Sequence, residues 1–103
     1  MTFKRLEPKV RKQQIIVAAL KLATSNGFQN IRRDAVAVEA NVAPGLVSKY
    51  WGTMTQLRRA VMREAVKTEN LKVIAQGLAL GDKVATKASE HIRKKAIQQL
   101  ASN

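Results

Sequence analysis

At 103 residues the chain has room for one domain and one core, with a short tail at most. Apolar residues make up 46% and aromatic residues only 4%, which excludes disorder throughout and calls for an aliphatic core. Nineteen Lys and Arg against seven Asp and Glu leave a formal charge of +12, which implies a polyanionic partner, and the lack of cysteine excludes disulfides and thiolate metal sites.

The first residues, Met-Thr-Phe-Lys-Arg-Leu-Glu-Pro, have no apolar run behind their basic side chains and do not read as a secretory signal. No stretch approaches the roughly 20 apolar residues that span a bilayer. No membrane partner is therefore expected, and the chain is read as cytoplasmic. A first helix is predicted over Pro8–Ser25, since proline is tolerated in a first turn. Its apolar stripe is Ile15, Ile16, Ala19, Leu20, Leu22 and Ala23, with Lys12, Gln13, Lys21 and Thr24 off it. Asn26-Gly27 ends it, because both residues tolerate a positive φ, and Phe28 turns back onto the core. A second helix covers Arg32–Ala40, with Val36 and Ala40 inward and Ala37 small enough for a close crossing. Asn41 suits a left-handed backbone and Val42 plugs the turn.

The third helix starts at Ala43 or Pro44 and ends near Trp51. Val47 and Trp51, four apart, point inward, while Leu46, Ser48, Lys49 and Tyr50 stay on the outer side. Gly52-Thr53 breaks the chain, with Thr53 as N-cap of a fourth helix that runs from Met54 into the high 60s or beyond. Leu57, Val61 and Ala65 form its inner stripe, which Leu71, Ile74 and Leu78 continue past a candidate break at Thr68-Glu69-Asn70. Gly77 and Gly81-Asp82 read as stops. Lys83–Ala101 then reads as one more amphipathic helix, with Val84, Ala88, Ile92, Ala96 and Leu100 every four residues. The fold class expected is all-α: a small helical bundle with a three-helix helix-turn-helix core plus C-terminal helices. The organisation expected is a DNA-binding unit over residues 1–66, including a basic N-terminal arm, and a C-terminal helical extension over residues 67–103 as a candidate dimerisation element.

The charge is unevenly placed. Residues 1–33 carry eight basic side chains against Glu7, residues 34–66 carry four against three acids, and residues 67–103 carry seven against three. A nearly neutral centre flanked by basic segments suits a module whose flanks hold phosphates while its centre faces bases. A merely solvated surface is the plainer reading of the charge.

From Val36 to Leu57 the sequence resembles, without a gap, the DNA-binding domain of the TetR family of bacterial transcriptional regulators. The first-helix stripe matches at Ile15, Ile16, Ala18, Ala19 and Leu22, and a Gly-aromatic pair at Gly27 and Phe28. The end of the second helix matches at Val36, Ala37, Ala40, Asn41 and Val42, and the recognition helix runs from Ala43 to Trp51. Thr53, Met54 and Leu57 match the opening of the fourth helix. The resemblance covers about residues 10–66. It departs from the family pattern at Ser48, where the family has a tyrosine, at Met54 in place of a lysine, and at Arg32 in place of a threonine. Two habitual phosphate contacts of the family are thereby replaced. Family members also carry a longer C-terminal ligand-binding and dimerising domain, for which about 35 residues leave no room, so no small-molecule inducer is expected.

In a helix-turn-helix the second helix meets base edges in the major groove of double-stranded DNA. Pro44, Gly45, Leu46 and Lys49 are the candidate base contacts, Lys49 reaching guanine O6/N7 or a phosphate. Arg32, Arg33, Ser48, Tyr50, Thr53, Lys9 and Arg5 are the candidate phosphate contacts. Lys4, Arg5, Lys9, Arg11 and Lys12 form the basic arm, which either enters a minor groove or is a solvated tail. Val36, Ala40, Val42, Val47, Trp51 and Leu57 make the core of the motif. Trp51 reads as core rather than as a stacking platform, and the single His91 has no second ligand near it in sequence. No metal, cofactor or catalytic constellation is read, so no enzyme is expected. The function expected is a sequence-specific transcriptional regulator, acting as a homodimer. An interaction protein for RNA polymerase or another regulator, and a non-specific architectural nucleic-acid binder, remain as alternatives.

Overall fold

The stripe of the first helix sets the architecture. In a computed structural model that describes residues 7–101, helix α1 (Pro8–Asn26) buries Ile15, Ile16, Ala18, Ala19, Leu20 and Ala23. It is the pillar against which α2 (Arg33–Ala40) and α4 (Met54–Lys67) pack, while α3 (Pro44–Trp51) sits between them in sequence. Then come α5 (Leu71–Leu80), α6 (Lys83–Thr86) and α7 (Glu90–Ala101), with α7 lying against α5. A single 3-10 turn, Phe28–Asn30, follows α1 and folds Phe28 into the core. Among the described residues there is no strand, and no helix is long and apolar enough to cross a membrane.

The turns are where polar sequence becomes geometry. Asn41 adopts φ 57° and ψ 48°, as its short polar side chain permits. The amide of Val42 then donates to the Ala37 carbonyl at 2.9 Å, and that of Asn41 to Val38 at 3.1 Å. These two bonds close α2 in a Schellman motif and turn the chain toward α3. The same pair of bonds ends α5, from Gly81 to Leu78 and from Asp82 to Gly77. It also ends α4, but there the left-handed residue is Glu69, at φ 53°. A glutamate in that region costs about 1–2 kcal/mol. Its carboxylate meets Lys95 of α7 at 3.4 Å, an exposed pair that offsets only part of this.

One apolar cluster runs through both parts of the chain. It joins Ile15, Ala19 and Leu57 to Val73, Ile74, Ala85 and Ala96, all buried. Two side-chain hydrogen bonds stitch the same seam. Asn70 Nδ2 donates to Thr24 Oγ1 at 2.8 Å, and the Phe28 amide donates to Gln76 Oε1 at 2.6 Å.

Two expectations are corrected here. Gly77 is no stop: it lies inside α5, buried, where a Cβ would stand 2.9 Å from the Ala85 Cβ and closer still to the Met62 methyl. Glycine is there because α6 and α4 approach the α5 backbone too closely for any side chain. Nor is Lys83–Ala101 one helix. The four-residue apolar repeat continues, but the chain leaves the helical path at Lys87–Ser89. Asp82 caps the single turn of α6 by accepting from the Val84 and Ala85 amides at 2.9 and 3.0 Å. Ser89 Oγ then accepts from the Ile92 amide at 3.3 Å to start α7, and Arg93 Nε donates to the freed Ala88 carbonyl at 3.0 Å. Ser and Asp compete in this way with a continuous helix. Of the repeat, Ala96 is buried, Val84, Ala88 and Ile92 are half-buried, and Leu100 is exposed.

Gly77→Ala separates packing from helix propensity. Propensity alone favours alanine by about 1 kcal/mol. Overpacking of a filled site costs about 1–3 kcal/mol, so the variant is expected to be less stable by up to about 2 kcal/mol in urea denaturation. A gain in stability would show that Met62 and Ala85 leave room for a methyl group at Gly77.

Candidate nucleic-acid interface

Helix α3 is two turns long and enters through Pro44, whose missing N–H costs nothing in a first turn. One side chain, Val47, holds it in the core at 1% exposure. Leu46 and Ser48 are half-buried, and Pro44, Gly45 and Lys49 are exposed. A Cβ placed on Gly45 would meet nothing within 4 Å, so this stretch of backbone is open to close approach from outside. Of the four candidate base contacts, then, three are fully presented and Leu46 partly so.

The end of α3 is tied down differently from expectation. Trp51 is half-buried, not fully inside, and its Nε1 donates to the Lys12 carbonyl at 3.0 Å. The Lys12 ammonium lies 4.7 Å from the centre of the indole ring, a cation–π contact with α1. Tyr50, expected on the outer side, is half-buried and packs against the core cluster, with Lys49 Nζ 5.6 Å from its ring centre. Both rings are amphipathic, so each covers apolar surface while keeping one edge in water. Sequence spacing alone does not show this, because it assigns a ring to one side or the other.

Thr53 caps α4. Its hydroxyl accepts from the Gln56 amide at 3.2 Å, and Gln56 Oε1 accepts from the Thr53 amide at 2.8 Å, a complete capping box. The T-x-x-Q spacing carried that signal. Thr53 is exposed and its hydroxyl proton remains free for an acceptor such as a phosphate oxygen.

The basic candidates lie in three places. Arg32 occupies the N-cap position of α2 and is exposed. Arg33 is half-buried and its Nε is shielded with no hydrogen-bond partner among the described residues. Arg32 and Arg58, from α4, line a polar cleft of about 470 Å³ with Gln29 and Asn30. Arg58 is a contributor that motif matching did not single out. Lys9, Arg11 and Lys12 do not belong to an arm: they lie in the first turns of α1, with Lys9 and Lys12 exposed and Arg11 half-buried. Lys4 and Arg5 lie outside the described residues. Of the motif core, Val36, Val47 and Leu57 are buried, whereas Ala40 and Val42 are half-buried against the same cluster. Among the described residues, no group of three or more His, Asp or Glu could hold a metal ion.

Residues 15–61 match the family model described as bacterial regulatory proteins, tetR family. The matched span opens at Ile15 within α1, encloses the whole of α2 and α3, and closes at Val61 within α4. This segment is a TetR-family helix-turn-helix domain. The family is one of DNA-binding transcription regulators, not of enzymes. No curated protein and no solved structure gives a match to the chain. Helices α5 to α7 fall outside the matched span, although α5 is bonded to the TetR-family domain through Gln76 and Asn70.

Loss of the capping hydroxyl in Thr53→Ala is expected to lower stability by about 1 kcal/mol, read as a lower thermal midpoint. An unchanged midpoint would mean that water replaces the cap at no cost.

Proposed function

We propose that the protein is a sequence-specific DNA-binding regulator that lays α3 in the major groove and acts without a small-molecule inducer. The observation that carries this reading is the presentation of α3. Its open backbone at Gly45 and its exposed Lys49 face outward from a helix that Val47 holds at its middle and Trp51 at its C-terminal end. Pro44, Gly45 and Leu46 supply close approach and apolar contact, as with a thymine methyl, and Lys49 supplies a donor to guanine. Arg32, Ser48, Tyr50, Thr53 and Lys9 donate to phosphates on either side, and Arg33, with its unpartnered Nε, completes the positive end of α2.

Independence from an inducer is supported by how the C-terminal helices are spent. Val73, Ile74, Ala75 and Ala85 are at 0–1% exposure in the common core, so the apolar side chains that would line a ligand cavity are already packed. We further propose a homodimer. Leu80, at the end of α5, and Ile97 and Leu100, on α7, are 54–57% exposed on helices that pack against each other. A two-fold contact there gives two copies of α3, which reads two half-sites about one helical turn apart.

Selection of bound duplexes from a random pool tests the reading. A palindromic preference is expected, and retention of no preference at all would refute it. On the selected site, Lys49→Ala is expected to cost about 1–3 kcal/mol and to relax preference at one base position. A loss equal for all sequences would make Lys49 a phosphate contact. Ile97→Glu with Leu100→Glu is expected to convert a dimer to a monomer in sedimentation, and an unchanged mass would place the dimer contact elsewhere or exclude it.

A further inference from the structure

Helix α4 carries a row of cations that the recognition helix does not account for. Arg59, Arg63 and Lys67 lie four residues apart and are all exposed, so they stack on one face over about 12 Å. Like charges at this spacing repel, and no ion pair relieves them among the described residues, whose pairs are Lys21–Glu39, Lys94–Glu90 and Lys95–Glu69. The row is continuous with α3. Arg59 and Arg63 line a cleft of about 330 Å³ whose other wall is Tyr50, Trp51 and Gly52. A smaller cleft of about 150 Å³ continues past Trp51 to Arg63 and Lys67, where half-buried Glu64 is the one carboxylate in either lining. Two more cations border these clefts, Lys12 over the Trp51 ring and Lys49 beside the Tyr50 ring.

We propose that Arg59, Arg63 and Lys67 form a second phosphate track, which grips the backbone of duplex DNA flanking the site read by α3. The inference rests on the DNA-binding reading above and extends it to a longer footprint. A strand carries a phosphate about every 3.4 Å of axis, so a 12 Å row faces three to four of them. Arginine suits this role because its planar fork binds phosphate oxygens in pairs. The cleft wall is the C-terminal turn of α3, so a duplex seated on α3 passes directly to the row as it leaves. A straight duplex follows α3, and engagement of Lys67, two turns beyond Arg59, draws the flank toward α4.

The track is tested with the full-length chain and two duplexes: the sequence selected from the random pool, trimmed to its preferred base pairs, and the same sequence with flanks of about one helical turn on each side. Wild-type protein is expected to bind the flanked duplex more tightly, with a steeper dependence of log K on log salt. Arg59→Gln with Arg63→Gln and Lys67→Gln is expected to bind the trimmed duplex as wild type does and to lose the gain from the flanks. The slope on the flanked duplex is expected to fall by about 2–3, at roughly 0.9 per phosphate released. A triple variant that keeps the whole gain overturns the proposal, as does an equal loss on both duplexes. If instead both duplexes bind normally and only binding to polyglutamate is lost, the row serves an acidic protein surface and the proposal fails. Failure of the underlying reading shows earlier and separately, as a selection that returns no preferred sequence.

Discussion

A helix of eight residues does not hold itself together in water, because isolated helices under about 12 residues are marginal. Everything the α3 surface does therefore depends on how α3 is docked. Val47 supplies its one fully buried side chain, in contact with a core built on the Ile15–Ala23 stripe of α1. Trp51 supplies the second anchor, and its hydrogen bond to the Lys12 carbonyl ties the end of α3 to the first turns of α1. Between the Schellman turn at Asn41 and the capping box at Thr53, the backbone at both ends of α3 is hydrogen-bonded into a fixed path. The outward residues are thus presented by a frame tied down at both ends.

The electrostatics follow from the same frame. Ion pairs among the described residues are few and exposed or nearly so, and pairs of that kind contribute little to stability. Aliphatic packing therefore holds the fold, and these pairs engage only three of the nineteen basic side chains. Cations gather at the start of α1, the start of α2 and along α4, around a nearly neutral α3. In the DNA-binding role proposed above, that arrangement separates grip from reading, with strands held at the edges and discrimination resting with a few groups on α3.

Much of this was legible before any coordinates. Asn26-Gly27, Asn41, Gly52-Thr53 and Gly81 act through local backbone preference, so they punctuate the chain wherever it folds. The stripes on α1 and α4 were readable because burial on a helix repeats with its turn. What could not be read depends on distant partners. Gly77 looks like a breaker until Met62 and Ala85 are seen against it. The interruption at Lys87–Ser89 hides within an unbroken apolar repeat, because Ser89 and Asp82 act as caps only when the flanking turns dock. Glu69 gave no sign of a left-handed backbone, and the Thr24–Asn70 and Phe28–Gln76 bonds span more than forty residues. At the candidate interface, residue types pointed to Lys49 and Gly45, whereas the dual role of Trp51 and the place of Arg58 and Arg33 needed the packed helices.

In the proposed complex α3 meets DNA while the aliphatic core stays as it is. Amide chemical-shift mapping during titration with a selected duplex tests it most directly. The largest shifts are expected at Gly45, Leu46 and Lys49, with Val61, Ile74 and Ala96 nearly unmoved. Shifts concentrated on α7, with the amides of α3 unchanged, would contradict it.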